Sequence, residues 1–128
     1  MASEKFPADT TEAIPYYEDD FSKFKVEEKY VQPLFEQVAT WRQKGILVVA
    51  FRPPVSLPMQ NLEDSVGMFN GERIKSGIQN SGGFWVDLNF SEYKTYDGSH
   101  LDIQSANHLS EVLAKRINEL LAFEFSVE

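Results

Sequence analysis

Cysteine is absent from the 128 residues, which excludes disulfides, thiolate metal sites and a cysteine nucleophile, and is compatible with either redox compartment. No apolar run approaches the ~20 residues needed to span a bilayer. Residues 1–11 hold no apolar core of the kind a signal peptide requires. Basic residues are in the minority: 12 Lys and Arg against 20 Asp and Glu leave a formal charge of −8. That balance argues against a nucleic-acid backbone or an anionic membrane surface as main partner, because both demand a basic patch. Histidine is scarce too. His100 and His108 are well separated and no thiolate supports them, so a zinc site is not expected. A glycine-rich phosphate loop is missing, since Ser81-Gly82-Gly83 precedes a strand pattern instead of following one, and no cofactor is expected. No repeat appears at a period of about 20 to 50 residues.

What remains is the mixture of a folded chain, 42% apolar and 25% charged. Its length suits one domain able to bury roughly two thirds of its unfolded surface. Residues 1–22 read as an irregular arm. Pro7, Pro15 and Glu18-Asp19-Asp20 break any period there, while Tyr16, Tyr17, Phe21 and Phe24 can anchor the arm to the body. Residues 23–128 read as the body. A helix is expected over 26–44, with Val31, Leu34, Phe35, Val38 and Trp41 on one face, a separate or kinked first turn at Pro33, and Gly45 just past its end. Residues 46–51 are continuously apolar, the pattern of a strand covered on both faces in a parallel sheet. Pro58 opens a helix that buries Met59, Leu62, Val66 and Phe69. A second helical piece carries Ile74 and Ile78, and residues 84–88 form the second strand. Asp102 caps a last helix reaching about residue 121, with Ile103, Ala106, Leu109, Leu113, Ile117, Leu120 and Leu121 inward. Residues 123–127 alternate and predict a short edge strand. The order predicts an α/β fold: a partial three-layer α/β/α sandwich with a short, right-handed parallel sheet.

In such sheets the ligand crevice lies outside the carboxyl ends of the strands. Two loops reach that edge, residues 52–56 and the segment ending Tyr96-Asp97-Gly98-Ser99-His100-Leu101. The second concentrates reactive groups. An Asp three residues before a His can orient the imidazole, as the acid does in a Ser–His–Asp triad. Asp97-Gly98-Ser99-His100-Leu101, leading into the final helix, resembles the last sequence block of the SGNH (GDSL-type) hydrolases and their O-acyltransferase relatives. Over residues 25–123 the order of elements is similar to the C-terminal half of that fold, with Arg52-Pro53-Pro54 in place of the Pro-rich loop before the last crossover. The resemblance implies His100 as general base and Asp97 as its orienting acid. It stops at the nucleophile. The family's Gly-Asp-Ser and Gly-x-Asn-Asp blocks are missing, and no glycine precedes Gly45. The expectation is a C-terminal segment of an ester hydrolase or O-acyltransferase, inactive alone, whose serine comes from other sequence.

Other residues carry two readings each. Ser56 is a spare nucleophile at the same sheet edge, or simply the cap of the next helix. Arg52 binds an anionic substrate group, or pairs with Asp97 or Asp87. Asp87, near a strand end, needs a partner. His108 reads as a boundary residue, and Asp97-Gly98 also suits a plain turn. The alternative function is a non-catalytic interaction or assembly module. A two-stranded sheet leaves unpaired edges and uncovered helix faces, so the partner is a second copy in a homodimer or the missing N-terminal half of a longer chain. The aromatic arm could instead shield one edge.

Overall fold

The computed structural model describes residues 12–125. Among these the protein is α/β and mostly helical, with five helices and one parallel sheet of two short strands. The first helix, α1 (Ile14–Lys23), replaces the irregular arm expected over that stretch. Pro15 sits in its first turn, where a missing N–H costs nothing. The acidic run does not break this helix; it is solvated charge on the outer face, with Asp19 paired to Lys23 one turn on at 2.9 Å. Tyr17 and Phe21, four residues apart and 5.5 Å between ring centroids, do act as anchors. They pack beside Ala13, Val55 and Met59. Tyr16 and Phe24 stay exposed. Residues 1–11, with Pro7, lie outside the described residues.

Helix α2 (Glu28–Gln43) runs unbroken through Pro33, without the separate first turn expected. Proline there removes one hydrogen bond, and the burial of Val31, Phe35 and Val38 on either side holds the helix together. These three join Ile78 in the main core, against Val48, Ala50, Ile74 and Trp85. Leu34 and Trp41 share the helical spacing but remain exposed. Strand β1 (Val49–Phe51) then pairs in parallel with β2 (Phe84–Val86), Ala50 opposite Trp85. Both strands are shorter than the apolar runs that carry them.

The crossover holds two helices, α3 (Leu57–Ser65) and α4 (Gly71–Asn80), as the Asn70-Gly71 break predicts. Asn70 caps α4 by accepting from Arg73 N–H at 3.1 Å. At Gly77 the α2–α4 contact is so close that a Cβ would fall 1.9 Å from Phe35 Cζ. After a 3-10 turn at Phe90–Glu92, helix α5 (Ile103–Glu124) starts at Asp102, whose carboxylate accepts from Ser105 N–H at 2.8 Å. The edge strand expected at 123–127 is not formed at 123–124. The helix continues there, and Glu124 is held by an ion pair to Arg42. Residues 126–128 lie outside the described residues. No helix among the described residues is long and apolar enough to cross a membrane.

Candidate functional site

Beyond β2 the chain crosses the carboxyl edge of the sheet and makes a tight loop. Thr95 and Leu101 meet in an isolated antiparallel bridge, and Tyr96 N–H donates to His100 C=O at 3.0 Å. Inside this clasp Gly98 adopts φ +96°, a left-handed conformation that favours glycine. Its N–H donates to the buried Thr95 hydroxyl at 3.1 Å. The turn aims the Asp97 carboxylate back along the chain. Oδ1 accepts from Ser99 N–H at 2.9 Å and from His100 N–H at 2.8 Å. Oδ2 lies 2.7 Å from His100 Nδ1. The i to i+3 spacing therefore does bring acid and imidazole together.

The two side chains differ in exposure, 16% for Asp97 and 56% for His100. Burial works to raise the Asp97 carboxyl, but the N–H groups of His100 and Ser99 and the His100 ring outweigh it and hold the carboxyl below its ordinary range. An ionised carboxylate only accepts, so a neutral His100 carries its proton on Nδ1. The other nitrogen, Nε2, is then a lone pair. Among the described residues it meets no hydrogen-bond donor. The ring stacks on Tyr96, 5.7 Å between centroids at 18°, which limits its rotation.

Two other segments clamp the loop. Ala13 N–H, at the foot of α1, donates to Asp97 C=O at 2.9 Å. Ser56 N–H and Ser56 Oγ both donate to Gly98 C=O, at 3.1 and 2.9 Å. The Asp97–His100 pair thus lies beside the 52–56 loop, as its position after β2 predicts. Ser56 is also the N-cap of α3, accepting from Met59 N–H at 3.4 Å. Its hydroxyl proton is given to Gly98 and not to His100, the arrangement of a cap.

Arg52 is placed differently from either ion pair expected of it. Its guanidinium faces α3, 2.8 Å from Glu63 and 2.7 Å from Asp64, and lies over the Phe69 ring at 4.4 Å. The reason is local: the 53–56 turn folds α3 back across the end of β1, so the nearest carboxylates come from that helix and neither Asp97 nor Asp87 is its partner. With 15% of its side chain exposed and two carboxylates on one nitrogen, Arg52 has little charge to offer an anion. Asp87 finds its partner in Lys75 of α4, at 2.9 Å. His108 is half-buried and stacks on Tyr93, 5.1 Å between centroids.

One feature was not legible. Leu34, Trp41, Phe24 and Phe69 join β1 in lining an apolar groove of about 680 Å³ that reaches Ser99, between the two dyad residues. Helical spacing puts Leu34 and Trp41 in a core, and only the narrow sheet shows that nothing among the described residues covers them. Comparison with family models, with curated proteins and with solved structures finds no match to this chain.

Proposed function

We propose that this chain supplies the acid–base half of an ester-hydrolase or O-acyl-transferase site. The observation that carries the reading is the 2.7 Å contact between His100 Nδ1 and an Asp97 carboxylate already fixed by two backbone N–H groups. In this role Asp97 holds the tautomer. His100 Nε2 takes the proton of a serine hydroxyl as its oxygen attacks the ester carbonyl. The imidazolium so formed, stabilised by Asp97, returns the proton to the leaving alkoxide. The serine comes from a segment outside this chain. The two-stranded sheet is accordingly one end of a wider three-layer sandwich.

The groove along β1 favours a second reading, an assembly module whose partner is another copy or another chain; it lacks any use for an oriented imidazole. Nitrogen-15 NMR of the imidazole separates them. The catalytic reading expects neutral His100 to be locked with its proton on Nδ1, and the lock to be lost in Asp97→Asn. Signals averaged between both tautomers, unchanged in Asp97→Asn, would leave the assembly reading standing.

A further inference from the structure

Strand β1 has a neighbour on one side only among the described residues. The ladder to β2 opens with Phe84 N–H donating to Val48 C=O at 2.9 Å. In a parallel pair, alternate residues turn their polar groups to the same neighbour. Val48 and Ala50 therefore serve β2, and Val49 and Phe51 turn N–H and C=O to the opposite edge. Among the described residues none of these four groups finds a hydrogen-bond partner. Nor do they face open solvent alone: Val49 and Phe51 line the apolar groove of about 680 Å³. Unpaired backbone groups in apolar surroundings are costly, and unpaired strand edges are templates.

We infer that this groove receives one extended, uncharged strand from another segment, which adds to β1 through main-chain hydrogen bonds; resting on the proposed function, that segment is the one bringing the serine. Three observations select this occupant. A helix satisfies its own backbone and leaves the Val49 and Phe51 groups unpaired, so the occupant is extended. The groove offers no free charge, since the Arg52 and Glu63 that line it are already paired at 2.8 Å. Residues 46–51 carry no lysine, proline or inward charge, the devices by which true edge strands avoid pairing. A second copy fits poorly. The β1 residues are half-buried, while Leu34 and Trp41 beside them stand 43% and 38% exposed, so these bulky side chains hinder two copies from bringing β1 against β1. Each copy also carries a formal charge of −8.

Amide hydrogen exchange, with a capped peptide of alternating Val and Thr bearing one Lys at each end, tests this. At saturating peptide the Val49 and Phe51 amides should slow at least about tenfold, the weight of one main-chain hydrogen bond, while the already paired Ala50 changes little. The same peptide N-methylated at alternate residues should do nothing. Val49→Pro removes a free-edge N–H that the ladder does not use, and should weaken binding about tenfold or more. Trp41→Glu, an exposed substitution on the groove wall, should do the same should the proline disturb the strand. No slowing at Val49 and Phe51, or equal slowing by the methylated peptide, overturns the inference. So does protection of these amides that grows with protein concentration alone, which would assign the groove to a second copy. Each of these results leaves the His100 tautomer experiment unaffected, so the two proposals fail separately.

Discussion

Asp97 connects the loop's stability to its chemistry, because one carboxylate holds two backbone N–H groups and an imidazole. Its folded pKa is held below the unfolded value, so its stabilisation is fully present above the unfolded value and is lost as pH falls through the folded one. Asp97→Ala should lower stability by about 1–2 kcal/mol near neutral pH. Urea denaturation at a series of pH values should show that gap closing in acid; a gap independent of pH would mean that the charge is not what holds the turn. Ser56→Ala should cost about 1 kcal/mol through the lost α3 cap and leave the hydrolysis of nitrophenyl acetate by the chain unchanged. A fall in that rate would make Ser56 a nucleophile. At this scale the sequence was most informative where contacts are local: Asp97 to His100, Asp102 to Ser105 and the Ser56 cap all lie within one turn. The Arg52 partners were not legible, because Glu63 and Asp64 reach it only after α3 folds back, and charge alone does not choose among the chain's 20 acidic residues.

Among the elements, the α2–α4 contact is the tightest constraint on the crossover. Gly77 lets the Phe35 ring reach the α4 backbone, and an added Cβ would fall inside that ring's van der Waals surface. Gly77→Ala should therefore destabilise by about 1–3 kcal/mol despite alanine's better helix propensity. Pairing it with Phe35→Leu should recover part of the loss in thermal or urea denaturation. Equal losses in single and double variants would show that the helices simply move apart. Helices α2 to α5 and both strands were visible as apolar periods or runs with Gly, Pro and Asn between them. α1 was not, since Pro15 and three consecutive acids obscure the Tyr17–Phe21 pair that seats it on α3. The final alternation at 123–127 has the period of a strand, and no local signal marks that α5 continues through Phe123 to the Arg42–Glu124 pair.

For the whole molecule, the described residues build a hydrogen-bonded Asp97–His100 pair, a floor of two strands and an apolar groove beside them, all at or near one edge of the sheet. The groove escaped the sequence because a helix face without a cover has the same period as one buried in a core; Leu34 and Trp41 differ from Val38 only in what stands opposite them. In the proposed function this arrangement is half of a site. Alone, the chain should hydrolyse nitrophenyl acetate no faster than a surface imidazole does. The most direct measurement is steady-state ester hydrolysis by this chain joined to a serine-bearing segment of the kind the proposed function requires, compared with the same protein carrying His100→Ala. Serine-dependent turnover that falls about 10³-fold or more without the imidazole is the expected result. Turnover indifferent to His100→Ala, or no turnover in the joined protein, would contradict it.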